Sequence, residues 1–121
     1  MNEQPEWVVL FTDTFTQWFN QQSHEIKKNI LQAVAYLEMS GPMLQRPYAD
    51  TVYGSRFSNM KELRVQARGR AIRAFYAFDP ERKAIVLCAG DKTGEKRFYA
   101  RMIPLADRIF EEYLKERGKR P

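Results

Sequence analysis

Two stretches with a repeat of two, Glu62–Ala67 and Ala71–Asp79, flank the dipeptide Arg68-Gly69. Period-two patterning around a two-residue turn is a β-hairpin signal, because a helix would bring its apolar side chains round every three or four residues. In the first run Leu63, Val65 and Ala67 share one face, and Glu62, Arg64 and Gln66 share the other. In the second, Ile72, Ala74, Tyr76 and Phe78 oppose Ala71, Arg73, Phe75 and Ala77. With Arg68 and Gly69 at the centre of the turn, Ala67 faces Arg70, Val65 faces Ile72, Leu63 faces Ala74 and Arg64 faces Arg73. The apolar pairs then lie on one face, as burial demands. A three-residue bulged turn would shift this register and separate the two arginines.

The rest of the chain supplies what such a hairpin needs. Lys83–Gly90 is mostly apolar and reads as a central strand buried on both faces, joined to the hairpin through the turn Asp79-Pro80-Glu81-Arg82. Trp7–Phe11 reads as a buried first strand. Asp13 or Thr12 can cap a short helix carrying Phe15, Trp18 and Phe19. Ser23 can cap a longer one with the stripe Ile26, Ile30, Val34 and Leu37, which Gly41-Pro42 ends. Pro42–Met60 has no sustained period and is expected to be a long loop. The C-terminal stripe Ile103, Ala106, Phe110, Tyr113 and Leu114 predicts a final helix beginning beside Pro104. The expected fold is α+β: a twisted antiparallel sheet of about four strands, two N-terminal helices on one face, and a C-terminal helix. At 121 residues this is one domain, 1–121, with 1–6 and 117–121 expected to be mobile ends.

Charge divides the chain. Residues 1–60 carry four basic and six acidic side chains, a balance of −2, while residues 61–121 carry sixteen and nine, a balance of +7. A basic half on a small domain suits a polyanionic partner, although the same charges would also solvate a surface. One cysteine excludes an internal disulfide and a Cys-based zinc site, and one histidine excludes a multi-His centre. No export signal or membrane span is apparent, so the expected compartment is the cytoplasm.

Two features carry chemistry. On the polar face of the hairpin, Arg64 and Arg73 stand opposite each other with Cβ atoms about 5 Å apart. Like charges so placed cost stability unless an anion joins them: either a phosphodiester, whose extra charge develops in a transition state, or a carboxylate such as Glu62, Asp91 or one from a helix. The second feature is Gly90–Tyr99, which sets Lys92, Lys96 and Arg97 beside Phe98 and Tyr99. Cations interleaved with rings suit single-stranded nucleic acid, and Lys92 or Tyr99 could exchange protons if neighbouring cations lower its pKa. The same segment could also be an ordinary turn with a solvated ion pair. His24, at a helix start, reads as a surface or capping residue, and Cys88 as a small core hydrophobe.

Gly54-Ser55-Arg56-Phe57-Ser58-Asn59-Met60-Lys61-Glu62-Leu63-Arg64, then Arg73-Ala74-Phe75-Tyr76-Ala77-Phe78-Asp79-Pro80, then Gly90–Gly94 through Phe98-Tyr99, together resemble the RelE/ParE toxin superfamily. The closer likeness is to its phage Gp49-like, HigB-type branch, over roughly residues 7–115. The resemblance implies a toxin of a type II toxin–antitoxin pair that cleaves mRNA on the ribosome without metal or cofactor. In that chemistry the ribose 2′-OH attacks the adjacent phosphate and leaves a 2′,3′-cyclic phosphate and a 5′-OH. The implied partners are a helix-turn-helix antitoxin, the ribosome and mRNA, with no membrane and with the oligomeric state left open.

By position, the resemblance makes Arg64 and Arg73 the groups that hold the scissile phosphate. It makes Lys92 and Tyr99 proton-transfer or base-stacking groups. Lys96 and Arg97 would contact RNA backbone, and Arg56, Lys61, Arg68 and Arg70 would line the approach. The chain departs from its relatives where they often have His after Ser-Arg and it has Phe57; it also has no late histidine. The general acid and base are therefore open. Two other readings stay open as well: a ParE-like inhibitor of DNA gyrase without nuclease chemistry, and a non-catalytic basic RNA-binding module.

Overall fold

The computed structural model of the chain describes residues 6–119. Its elements are β1 (Val9–Phe11), α1 (Asp13–Asn20), α2 (His24–Ser40), a 3-10 turn (Gly41–Met43), β2 (Ala49–Thr51), β3 (Lys61–Ala67), β4 (Arg70–Phe78), β5 (Ala84–Asp91) and α3 (Phe98–Gly118). The strands form one sheet in the order β1-β5-β4-β3-β2. The hairpin takes the register dictated by the pattern, with Ala67 on Arg70 and Arg64 on Arg73. Arg68 and Gly69 have φ of +54° and +75°, the two left-handed residues of a type I′ turn.

The class is α+β as expected, with two differences in the sheet. β2 emerges inside the expected loop, pairing Ala49–Thr51 antiparallel with Leu63–Lys61. Three residues are too few to show a period, which is why the pattern conceals it. β1 pairs with β5 in parallel, so the sheet is mixed. β1 is also an edge strand, with Leu10 and Phe11 substantially exposed, rather than a buried one. Its aromatic and β-branched composition signals a strand but not its place in the sheet.

Each face of the sheet has its own helical cover. Thr12 and Ser23 cap α1 and α2 by accepting from the N–H groups of Phe15 and Ile26. These helices lay Phe15, Ile30, Ala33, Val34 and Leu37 on Leu63, Val65, Ile72, Ala74 and Tyr76. On the opposite face α3 packs Phe98, Met102, Ala106, Ile109 and Phe110 on Phe75, Ala77, Ile85, Leu87 and Cys88. Strict alternation cannot put both Leu87 and Cys88 on one side. A bulge does, since Phe75 pairs with Cys88 while Tyr76 pairs with Val86. The Leu87 carbonyl accepts the Thr12 hydroxyl at 2.6 Å, tying the bulge to the start of α1.

α3 begins at Phe98, a full turn and a half before the expected start, and Pro104 lies inside it. Pro104 and Ala100 are both exposed, so the Ala100 carbonyl that loses its helical donor faces water instead. Of the ends expected to be mobile, 1–5 and 120–121 lie outside the described residues. Arg117 and Gly118 belong to α3, and Arg117 reaches Asp79 and Glu81. No helix among the described residues is long and apolar enough to cross a membrane. α3 packs on β5 and β4 rather than on β3, and this leaves the polar side of β3 open.

Candidate active site

The open strip is walled by β3, β4, the start of α3 and the loop before β2. Arg64 and Arg73 pair directly across the hairpin and project to the α3 side. Arg64 is about a quarter exposed at its side chain, whereas Arg73 is 5% exposed overall. Both line a cleft of about 380 Å³ together with Arg46, Pro47 and Gln66. An adjoining cleft of about 290 Å³ contains Glu62, Tyr99, Asp50 and the highly exposed Tyr53, and it shares Arg46 as a wall.

Carboxylates do meet the arginine pair, as one of the two expectations had it. Glu62 Oε2 lies 3.9 Å from Arg73 Nε, and Asp50 Oδ2 lies 3.9 Å from Arg64. At that range they offset charge without forming hydrogen bonds. Arg73 Nε has no hydrogen-bond partner, and its guanidinium donates instead to the Ile72 carbonyl at 3.0 Å. Asp50 is engaged by Arg46 at 2.8 Å, and this hydrogen bond holds its carboxyl below the usual range. Three arginines against two carboxylates leave the cleft positive.

Tyr99 reaches the cluster from the first turn of α3, where its hydroxyl donates to Glu62 Oε1 at 2.8 Å. Lys92 Nζ stands 5.7 Å from the centre of the Tyr99 ring, a cation–π contact. Burial pushes the Glu62 carboxyl up, against the pull of the Tyr99 hydroxyl and the Arg73 charge. Burial also raises the Tyr99 phenol, and Glu62 adds to the effect. Arg73 pulls the phenol down but does not prevail, so the net shift is upward, contrary to the condition set above for its proton exchange. Its proton is directed at a carboxylate that is itself reluctant to stay charged, which makes a coupled donor–acceptor pair.

The strip thus gathers Arg64, Arg73, Lys92 and Tyr99, while the other six expected residues are placed elsewhere. Lys96 and Arg97 are exposed in the turn leading into α3, beside Tyr99. Arg56 is bound to Glu111 at 2.8 Å, over the outer side of α3. Arg68 pairs with Glu25 at the start of α2, and Arg70 with Asp91 on β5. Lys61 has the parity of Leu63 and Val65 and so belongs to the face that α1 and α2 cover. Phe57 packs edge-on against Phe110, with ring centres 4.9 Å apart, and helps to seat α3. Cys88 is buried and its thiol pushed up to about 12, which leaves it inert at neutral pH. Among the described residues no His, Cys, Asp or Glu side chains group in a way that could hold a metal ion.

Arg46 and Asp50 belong to the site beyond the expected residues, and Glu62, expected as a carboxylate beside the arginines, also holds the Tyr99 hydroxyl. The signal for Glu62 was present in the strand repeat, since it lies two positions before Arg64 and therefore on the same face. Arg46 and Asp50 arrive from a segment without periodicity and carry no such signal.

Comparison with known proteins finds a family and relatives for the chain. The family described as phage derived protein Gp49-like (DUF891) matches residues 17–111. Two proteins of Mycobacterium tuberculosis (strain ATCC 25618 / H37Rv) are similar over most of the chain. One, named "Putative toxin HigB3", is 43% identical over 107 residues, 88% of this chain and 92% of its own length. The other, named "Putative toxin HigB2", is 42% identical over 104 residues, 84% of this chain and 52% of its own length.

Proposed function

The chain belongs to the phage-derived Gp49-like family, and on that premise we propose that it is the toxin of a toxin–antitoxin pair, acting as a metal-independent mRNA endoribonuclease on the ribosome. The whole chain is a single toxin domain in this reading, working in the cytoplasm and neutralised by a helix-turn-helix antitoxin. The observation that carries the chemistry is the Arg64–Arg73 pair, opposed across the hairpin and joined by Glu62, Tyr99 and Lys92.

The two guanidinium groups hold the scissile phosphodiester and stabilise the second negative charge that develops on it. Arg46 completes the positive wall. The RNA 2′-oxygen attacks phosphorus while its proton passes to the Tyr99 oxygen, and the Tyr99 proton passes to Glu62. As the new P–O2′ bond forms, the P–O5′ bond breaks and Lys92 donates a proton to the departing 5′-oxygen. The products are a 2′,3′-cyclic phosphate and a 5′-OH. Burial raises Glu62 above the ordinary carboxylate value, which makes it a stronger base, and Glu62 takes the part of general base in a chain without a late histidine. Lys96 and Arg97 extend the cationic surface from the start of α3 toward RNA backbone phosphates.

Primer extension on cellular mRNA after brief induction tests this proposal. Cuts phased to codons with 5′-OH ends are expected, and Arg64→Ala with Arg73→Ala abolishes them. DNA damage without mRNA cuts would instead identify a gyrase poison and overturn the nuclease reading.

A further inference from the structure

Beyond Arg64 the cleft continues into a second pocket of about 300 Å³, between α2 and the open edge of β3. Arg64, Pro47 and Gln66 wall both this pocket and the arginine cleft, so the two are continuous. β2 ends its pairing at Ala49–Leu63; beyond it the Arg64 N–H donates to the Tyr48 carbonyl at 2.8 Å, and the Gln66 carbonyl is met by an Asn29 side chain from α2. The edge of β3 is thereby left to face α2.

The lining differs in kind from that of the arginine cleft. It brings together three amides, Asn29, Gln32 and Gln66, and two phenols, Tyr36 and Tyr48, with no carboxylate. Tyr36 and Tyr48 lie 4.8 Å apart between ring centres, and Tyr48 is 46% exposed. Asn29 donates to the Gln66 carbonyl at 3.0 Å, joining α2 to β3, and within α2 Gln32 donates to the Tyr36 hydroxyl at 3.0 Å. Each of these donors keeps its own amide oxygen, and the Gln66 side chain has no partner among the described residues.

We infer that this amide-and-tyrosine pocket binds one nucleobase of the RNA strand, next to the phosphate held by Arg64 and Arg73. The inference rests on the nuclease reading and deepens it. A side-chain amide offers a donor and an acceptor at the spacing found on a base edge, and this is how Asn and Gln read bases. An exposed phenol offers a face on which a flat heterocycle stacks. The pocket is at the lower bound of ligand-site volumes, room for a single base rather than an oligomer. Its want of charged groups other than Arg64 suits a neutral heterocycle attached to a phosphate, and Arg64 is shared for that phosphate.

The test is single-turnover cleavage by the purified chain on 70S ribosomes programmed with mRNAs in which each base of the A-site codon is varied in turn. Five proteins are compared: wild type, Gln32→Ala with Gln66→Ala, Tyr48→Ala, Tyr48→Phe, and Arg64→Ala with Arg73→Ala. The substituted pocket residues are largely exposed, and thermal melts establish that each variant is folded. The amide variant is expected to lose about tenfold at the best codon and to compress the spread among bases at one position to about twofold. Tyr48→Ala lowers the rate by about the same factor, and Tyr48→Phe restores it. The double-arginine variant loses cleavage at every codon alike.

An amide variant with the wild-type profile, or with equal losses at every base, overturns the pocket while leaving the arginine result standing. The same unchanged profile accompanied by weaker inhibition by the antitoxin assigns the pocket to a protein segment, which also overturns it. If the wild type cuts no codon, or the double-arginine variant still cuts, the nuclease reading itself fails.

Discussion

Glu62 is held between opposing demands. It is 6% exposed, which disfavours its charge, yet it accepts the Tyr99 hydroxyl and faces Arg73, which favour it. Burial prevails and the carboxyl is raised. In the proposed reaction Glu62 accepts a proton, so the ionised form is active and kcat/KM falls as pH drops through its pKa. That acid limb is expected at a higher pH than the ordinary glutamate value near ~4.3. Glu62→Gln removes the limb and lowers the rate by about 10²–10³, measured as a pH profile of single-turnover cleavage. Tyr76 poses a simpler question. Its hydroxyl is buried among apolar groups without a hydrogen-bond partner, and burial alone raises the phenol. Tyr76→Phe removes an unpaired polar atom and keeps the ring, so thermal denaturation should show stability unchanged or raised by up to about 1 kcal/mol.

At the level of elements, the site exists because neighbouring elements end where they do. β2 stops after three residues, and α3 crosses β5 and β4 without covering β3. Between these limits one polar strip of the hairpin stays open, and the arginines occupy it. The hairpin and its register were legible because a two-residue turn and a period of two leave one arrangement that buries the apolar pairs. The first cap was narrowed only to Thr12 or Asp13, of which the structure uses Thr12, whereas the Ser23 cap was legible because its side chain precedes an apolar stripe of helical spacing. The β5 bulge was not, since in a run that is apolar on both faces an extra residue leaves no mark in the pattern. Nor was β1 as a parallel edge, because its pairing is set by α1 and α2 returning over the sheet. The α2 exit gives an element-scale prediction. Gly41 has φ of +55°, and a Cβ there would run into the Trp7 ring. Gly41→Ala therefore combines backbone strain with a clash, and should cost about 2 kcal/mol or more in denaturant unfolding.

Across the whole molecule the division of charge gains a spatial meaning. The half with a balance of −2 supplies two helices that cover one face of the sheet, along with Arg46 and Asp50 at the rim of the cleft. The half with a balance of +7 supplies β3, β4, β5 and α3, but much of its charge is already matched. Arg68, Arg70, Arg101 and Arg117 each meet a carboxylate within 4.0 Å, and so make poor candidates for RNA contacts. The cleft differs in that Arg46, Arg64 and Arg73 share only two carboxylates and so keep excess positive charge for a polyanion, with Lys92, Lys96 and Arg97 alongside. Charge counts could not show which cations were matched, because the pairings join residues far apart in the chain.

The central claim is that Arg64 and Arg73 together stabilise the charge developing on a scissile phosphate. Its most direct test is the single-turnover rate of mRNA cleavage on programmed ribosomes by Arg64→Ala, with a thermal melt to show that the variant is folded. Arg64 suits this better than Arg73, whose removal would take a neighbouring cation from the buried Glu62 carboxylate. The account predicts a rate lowered by about 10²–10³ at every codon with the melting temperature little changed. A folded Arg64→Ala that cleaves within about threefold of the wild type would contradict it.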